Sequence, residues 1–212
     1  MEFSIWNGEK DMTDKILDLF SNRKGSVIGD YNRSAVMIFL LEEEGELQII
    51  FEARSKNLRR QPGDICLPGG RVEKGEMPVD AASREAIEEL LIKRETFSVI
   101  GEMDFLVSPY NSIIYPFIAT LEPQEINPSP SEVDRIIKVP LKFFMEAEPE
   151  CHEVDIVQSP KPDFPYDLIN NGTGYKFTKV VFPEYFYVYE GNVIWGFTAL
   201  IVKRFVDIIK NS

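Results

Sequence analysis

Three glutamates and an arginine within six residues are the strongest chemical feature of the chain. Arg84 is followed by Glu85, Glu88 and Glu89, and at ~100° per residue of a helix the three carboxylates lie on one side. Glutamates three and four positions apart repel one another by about 0.2–0.5 kcal/mol per pair, so a cation between them is stabilising. Mg²⁺ prefers oxygen ligands and is commonly shared between carboxylates and substrate phosphates. The pattern therefore favours a site for Mg²⁺, with Mn²⁺ as an alternative ion.

A solvated helix face is the alternative explanation of the same glutamates. At the i,i+4 spacing Arg84 can pair with Glu88, and Glu89 with Lys93, which would satisfy the charges without a metal. Three glutamates on a helix, taken alone, favour this simpler interpretation.

The segment around these residues, Gly69 to Ile92, predicts a tight loop followed by a helix from Pro78 to about Lys93. The glycines permit a close turn, and the fixed φ of proline suits the first turn of a helix. Apolar and small residues are expected to pack on the side opposite the glutamates: Val79, Ala82, Ser83, Ala86 and Leu90. Ala81 is expected beside the glutamates.

The same segment resembles the signature of Nudix hydrolases, Gx5Ex7REUxEExGU. The matching positions are Gly70, Glu76, Arg84, Glu85, Glu88, Glu89 and Ile92. Two positions depart from the pattern: Leu91 stands where the family usually has Gly, and Ala86 is a small version of the apolar position. Loss of that Gly makes the end of the helix the part most open to change.

The resemblance implies Mg²⁺-dependent hydrolysis of a diphosphate linkage. It implies that Glu85 and Glu89 are the main metal ligands and that the Gly70 carbonyl is a further one. Glu88 would be another ligand or the base that activates water, and Arg84 an orienting partner. By the same resemblance, Glu76 would either support the loop or bind the metal through a water molecule.

A cluster of positive charge runs directly into this segment: Arg54, Lys56, Arg59, Arg60 and Arg71. Charge runs are commonly solvated loops. Here the guanidinium groups lie close in sequence to the acidic helix, and their fork geometry suits phosphate, which favours a substrate-binding role.

This basic segment resembles a second signature, that of the coenzyme A pyrophosphatase group. The matching positions are Arg54, Ser55, Arg59, Gly63, Leu67, Pro68, Gly69 and Gly70. The chain has Ile50, Phe51 and Glu52 where the group often has Leu-Leu-Thr, and Gln61 where a His is common. The resemblance implies that Arg54 and Arg59 hold substrate phosphates, while Ser55 and Gly63 shape the loop.

The implied reaction converts coenzyme A into 4′-phosphopantetheine and adenosine 3′,5′-bisphosphate. Two other functions stay open at this point. One is a Nudix hydrolase of another diphosphate, such as ADP-ribose or a dinucleotide. The other is a non-catalytic Nudix domain that senses a ligand, against which the complete set of glutamates argues.

Length and composition limit the class of protein. The 212 residues suit one main domain, which we expect at 30–212, preceded by a helical segment at 1–29 packed on it. The net charge of −12 argues against nucleic-acid binding, although a small anionic substrate remains compatible. No apolar run reaches the ~20 residues of a membrane span. Two cysteines indicate free thiols and a cytoplasmic protein, and a homodimer is compatible with the sequence.

The order of elements predicts an α/β/α sandwich with a mixed sheet, which the Nudix resemblance also implies. A helix is expected over 14–23, a hairpin from 35–41 and 47–51, strands at 98–106 and 112–121, and a short helix after residue 138. Residues 175–182 and 185–189 are expected to form a strand pair, and 193–209 the last helix. Glu125, Glu132 and Asp134 lie on or near a loop and are weaker candidates for a metal ligand or base.

Overall fold

The chain divides into two units, with the boundary between Asp30 and Tyr31. The computed structural model describes the backbone of residues 5–212 and the side chains of residues 11–212. In the first unit, helix α1 (Ile5–Phe20) begins earlier than the helix predicted over 14–23. Residues 1–4 of the expected N-terminal segment lie outside the described residues, and the packing of that segment on the domain stays a prediction.

The second unit is built on an eight-stranded mixed sheet and a three-stranded antiparallel sheet. The strands of the first are β1 (Asn32–Glu43), β2 (Glu46–Arg54), β3 (Ile65–Cys66), β4 (Gly69–Arg71), β5 (Phe97–Glu102), β6 (Leu106–Ser108), β7 (Ser112–Leu121) and β8 (Val133–Pro140). The strands of the second are β9 (Glu150–Val157), β10 (Lys179–Tyr189) and β11 (Asn192–Trp195). The helices are α2 (Pro78–Leu90), α3 (Leu141–Glu146) and α4 (Gly196–Lys210).

Strand β1 is the centre of the larger sheet. It pairs antiparallel with β2 and β4 and parallel with β7. The predicted β1–β2 hairpin is confirmed, and Glu44 and Gly45 in its turn have φ values of 52° and 81°. Two successive residues with positive φ give the strands a turn that matches their right-handed twist.

The two faces of this sheet are covered by different helices. Successive side chains of a strand point to opposite faces, so Met37 and Phe39 join one buried cluster with α2, while Ile38 joins another with α3 and α4. The predicted α/β/α sandwich with a mixed sheet is confirmed. Within the described part of the chain, no helix is long and apolar enough to cross a membrane.

Several element boundaries differ from those expected. The strand predicted over 98–106 is two strands, β5 and β6, and the last helix begins at Gly196 because Trp195 belongs to β11. The predicted strand pair at 175–189 is wrong: β10 is one strand, which pairs with β9 and β11. Pro183 lies within β10 at a position that faces Glu153 of β9 and precedes the residues paired with β11. A missing N–H is tolerated at such an unpaired strand edge.

Helix α2 ends just before the position where the Nudix signature usually has glycine, although that glycine is absent from this chain. Its last residue is Leu90, and Leu91 adopts the left-handed conformation with φ 51° and ψ 38°. Because that conformation brings Cβ close to the backbone, it costs a non-glycine residue about 1–2 kcal/mol. The surrounding structure therefore holds Leu91 in the left-handed conformation, which lowers the stability of the folded protein.

We predict that Leu91→Gly stabilises the protein. The Leu91 side chain is 61% exposed, so little packing is lost, and relief of the left-handed strain is expected to add about 1 kcal/mol. For a chain of this size that corresponds to a rise in Tm of about 2–4 °C in a thermal melt. Leu91→Ala keeps a Cβ and is the matched control, for which no rise is expected. A lower Tm for Leu91→Gly than for Leu91→Ala would contradict the explanation.

Candidate active site

Glu89 is buried, which argues against the alternative explanation that the three glutamates form a solvated helix face. Its side chain is 4% exposed, and its Oε2 accepts a hydrogen bond of 2.8 Å from the Gly69 N–H. Its backbone carbonyl accepts another from Ser129 N–H at 2.8 Å, so the loop before β8 covers this side of α2. Ala81, expected beside the glutamates, is also fully buried.

Gly70 and Glu85 meet at a distance that only glycine allows. A Cβ at Gly70 would lie 2.4–2.6 Å from the three carboxyl atoms of Glu85, closer than non-bonded atoms can approach. Gly70 is held in place because β4 pairs with β1, where Gly70 faces Ala35. The absence of a side chain at Gly70 therefore leaves room for the carboxylate of Glu85.

Arg84 connects the loop to the acidic face of α2. Its Nε lies 3.0 Å from Glu76 Oε1, and its Nη1 lies 2.8 Å from Glu85 Oε1 and 3.5 Å from Glu88 Oε2. Hydrogen bonds from Arg84 hold the pKa of Glu76 below its usual range. The Arg84–Glu88 pair of the solvated-face explanation is thus formed, but Arg84 also fixes Glu85, and Lys93 lies beyond the end of α2. Glu88 is the most solvated of the three glutamates, with a side chain 55% exposed.

Glu52 is a site residue that sequence reasoning missed. It lies on β2 with no exposed surface, and strand alternation places it on the same face as Ile50, which packs against the α2 side of the sheet. Its Oε1 accepts a hydrogen bond from Cys66 Sγ at 3.5 Å, while its Oε2 is buried without a hydrogen-bond partner. The available signal was a glutamate where the coenzyme A pyrophosphatase group often has threonine.

The buried carboxyls influence each other electrostatically. Burial, reinforced by neighbouring glutamates, raises the pKa of Glu52 to about 7 and that of Glu89 to about 9. Glu85 and Glu132 are among the negative groups that contribute to both shifts. Glu132, a weaker candidate in the sequence, therefore lies near the cluster. We call Glu52, Glu85, Glu89 and Glu132 the carboxylate cluster.

The carboxylate cluster has the chemistry of a site for a hard cation. The Oε2 of Glu52 has no hydrogen-bond partner, and burial beside other carboxyls disfavours the ionisation of Glu52 and Glu89. A cation would stabilise their charged forms, and oxygen donors suit Mg²⁺ or Mn²⁺. Among the residues that the structure describes, no three His, Cys, Asp or Glu side chains are already arranged around one metal position. The donor types fit a divalent cation.

The two arginines predicted to bind phosphate differ in their exposure to solvent. Arg54 is half-buried and its Nε has no hydrogen-bond partner, whereas Arg59 is exposed. The loop between β2 and β3 is closed at its base, because Gly63 N–H donates to the Arg54 carbonyl at 3.0 Å and Ser55 N–H to the Glu132 carbonyl at 2.7 Å. Gly63 has a φ of 81°, which favours glycine. Arg54 is therefore placed beside the cluster, and Arg59 is not brought to it.

A cavity of about 420 Å³ opens next to the carboxylate cluster. Cys66 and Gly69 line it, and these residues hydrogen-bond Glu52 and Glu89 respectively. Arg54 also lines this cavity. A ligand with a diphosphate at the cluster can therefore extend into this cavity.

Comparisons with known proteins agree with this arrangement. The model of the NUDIX domain family matches residues 31–155, and the chain therefore belongs to the Nudix family. The peroxisomal coenzyme A diphosphatase of Mus musculus is 30% identical over 123 residues, which are 55% of this chain and 50% of that protein. The mitochondrial coenzyme A diphosphatase of Homo sapiens is 25% identical over 175 residues, 80% of this chain and 66% of that protein. The chain thus spans half the length of the mouse relative.

A solved structure shows the same fold. The MutT/nudix family protein from Enterococcus faecalis has a TM-score of 0.50 and 12% sequence identity, over 99% of this chain and 76% of that one. At this identity the likeness concerns the fold alone.

We predict that the metal-free protein loses stability as the pH rises through the range in which Glu52 and Glu89 ionise. Their pKa values in the folded protein, about 7 and about 9, exceed the ordinary value of 4.5, so the folded state holds more protons than the unfolded state over this range. The stabilisation by these protons is complete below pH 4.5 and is lost as the pH rises towards 9. Thermal melts with a chelator should show Tm falling, whereas Glu52→Gln/Glu89→Gln should show a smaller fall. An equal fall in both proteins would argue against the cluster as its cause.

Proposed function

We propose that this protein hydrolyses the diphosphate bond of coenzyme A or its derivatives, with 4′-phosphopantetheine and adenosine 3′,5′-bisphosphate as products. The observation that carries the proposal is the buried carboxylate cluster beside Arg54, whose Nε has no hydrogen-bond partner. Together they offer oxygen ligands for a cation and a guanidinium for a phosphate within one site. The coenzyme A diphosphatases among the relatives support coenzyme A as the substrate.

The proposed cation site consists of Glu85, Glu88, Glu89 and the Gly70 carbonyl, to which we add Glu52. Bound Mg²⁺ or Mn²⁺ would supply Lewis-acid polarisation of the phosphoryl oxygens. Glu89 is oriented for this by the Gly69 N–H at 2.8 Å, and Glu85 by Arg84 at 2.8 Å. Because both carboxylates are fixed before substrate arrives, little reorganisation is needed during the reaction.

The remaining groups bind substrate and handle the proton. Arg54 contacts a phosphate of the diphosphate, and Ser55 and Gly63 hold the loop that carries it. Glu88 is either a further cation ligand or the base that accepts a proton from the attacking water, a role that its solvated position beside Arg84 permits. The oxygen of this water forms a bond to one phosphorus while the bridging P–O bond breaks, and the other phosphate leaves with the bridging oxygen. Arg59, which is exposed, would reach only the outer part of a substrate.

We predict that Glu89→Gln suppresses product release from coenzyme A by about two orders of magnitude. Glutamine keeps an oxygen that can accept the Gly69 N–H but removes the charge that binds the cation, so the fold is expected to be retained. The measurement is chromatographic quantification of both products with Mg²⁺ present, and circular dichroism checks folding. Glu95→Gln, an exposed acid outside the site, is the control. Undiminished turnover by folded Glu89→Gln would remove the metal assignment.

We also predict that Gly70→Ala lowers activity more than stability. The added Cβ would meet the end of the Glu85 side chain at 2.4–2.6 Å, and this carboxylate can move aside at small cost to folding. Its displacement is expected to lower kcat/KM about 10–100-fold, as for other losses of ligand orientation. Gly101→Ala, where nothing lies within 4 Å of the new Cβ, is the matched control. Equal activities of the two variants would show that Glu85 needs no such space.

A different diphosphate substrate is the second candidate. The carboxylate cluster determines cleavage of a diphosphate but not the groups attached to it, so ADP-ribose and dinucleotides are the competing substrates. Parallel assays of coenzyme A, an acyl-coenzyme A and ADP-ribose distinguish them by kcat/KM. A ligand-sensing protein without turnover is disfavoured by the intact acidic set.

A cytoplasmic location is part of the proposal. It is supported by the two cysteines, Cys66 and Cys151, which are both free thiols, as is usual in reducing compartments. The two coenzyme A diphosphatases among the relatives are named peroxisomal and mitochondrial.

A further inference from the structure

The cavity beside the carboxylate cluster contains a second polar group without a partner. Glu184, on β10, lines the cavity, and its Oε2 is buried with no hydrogen-bond partner. Burial also raises the pKa of this carboxyl. A buried acceptor without a donor is unfavourable by roughly 1–3 kcal/mol unless a ligand or water satisfies it, which makes Glu184 a candidate ligand contact.

Glu184 lies on a part of the cavity wall that carries none of the proposed cation ligands. That wall comes from β10, β11 and the start of α4, and it includes Trp195, Gly196 and Phe197. Tyr110 contributes a further aromatic ring, 5.9 Å from that of Phe197. A Cβ at Gly196 would lie 3.7 Å from Glu184 Oε2, so the carboxyl lies close to the backbone at the beginning of α4.

The charges of the residues that line the cavity favour the pantetheine arm of coenzyme A over the end that carries the 3′-phosphate. Arg54 lies on the side shared with the cluster, whereas Asp64 and Glu184 are both acidic lining residues. A 3′-phosphate would be repelled by these acids, because like charges near a partly desolvated site are strongly disfavoured. The pantetheine arm has no charge, offers amide N–H and hydroxyl donors, and is otherwise aliphatic, which matches a largely apolar cavity that carries carboxylate acceptors.

We propose that this cavity binds the pantetheine arm of the substrate and that Glu184 is a specificity-determining residue that accepts a hydrogen bond from an amide N–H or hydroxyl of the arm. This inference rests on the proposed hydrolysis of coenzyme A and adds the orientation of the substrate. The diphosphate lies at Arg54 and the carboxylate cluster, the arm extends past Cys66 towards Glu184, and the 3′-phosphoadenosine lies outside this cavity.

The proposal predicts a substrate-dependent effect of Glu184→Leu. With coenzyme A, KM is expected to rise about tenfold or more, because the donor on the arm loses its acceptor, while kcat changes little. With the methyl diphosphate ester of 3′-phosphoadenosine, which retains the diphosphate and lacks the arm, KM and kcat should equal those of the wild type. Glu184→Gln retains an oxygen acceptor and should raise KM for coenzyme A less than threefold.

Two controls separate recognition from structural damage. Glu184→Leu removes a half-buried acid whose Oε2 has no hydrogen-bond partner and is expected to leave Tm unchanged or higher, since such replacements are commonly neutral or stabilising. Glu153→Leu removes an exposed acid of β9 and should change neither substrate's kinetics. Equal effects of Glu184→Leu on the substrates with and without the arm, or no effect on either, would overturn the proposal.

A binding measurement keeps this proposal distinct from the proposed function. If the wild type does not hydrolyse coenzyme A, the proposed function fails, and calorimetry with pantetheine then tests the cavity alone. Binding to the wild type that weakens about tenfold in Glu184→Leu would support the cavity assignment. Absence of pantetheine binding to the wild type, or equal binding to both proteins, would overturn it.

Discussion

Confinement of several carboxylates in a small, largely buried space is the physical constraint on which this structure depends. Desolvation and mutual repulsion both oppose such an arrangement, so each carboxylate needs a specific partner. The fold supplies the Gly69 N–H for Glu89 and the Arg84 guanidinium for Glu85. Strand pairing sets these contacts, because β4 pairs with β1 and so holds Gly69 and Gly70 next to α2. The Oε2 of Glu52 is left without a protein partner, and a cation is the group that would complete it.

The sequence was sufficient to predict the acidic helix, the hairpin before it and the layered fold. These features depend on local spacing: Pro78 begins α2, and alternation within β1 and β2 sets two buried faces. The burial of Glu89 was not predictable from helical spacing, because it results from the Gly69 backbone and from the loop at Ser129. Glu52 was noticed only as a departure from a pattern, since its proximity to Glu89 requires the alignment of a strand with a helix distant in sequence.

The regions predicted least well are those whose pairing is not local. Strand β8 pairs with β2 although some 80 residues separate them in the chain, and its one acidic residue, Asp134, was expected on or near a loop. Residues 175–189 were expected to form two strands, yet β10 continues through Pro183, which lies where β11 does not pair with it. Leu91 shows the opposite case, in which a residue unfavourable for the left-handed conformation adopts it because the chain must turn there.

The residues proposed to break the diphosphate and those proposed to select the substrate lie in different parts of the sequence. The family model covers residues 31–155, which include the proposed cation ligands and Arg54. The cavity wall that carries Glu184, Trp195 and Phe197 lies after that region. Under the proposed assignment, mutations in the wall can change which molecules the protein accepts, while the residues proposed to break the diphosphate stay the same. Relatives with the same acidic helix and different C-terminal strands would be expected to share a reaction and differ in the molecules they accept.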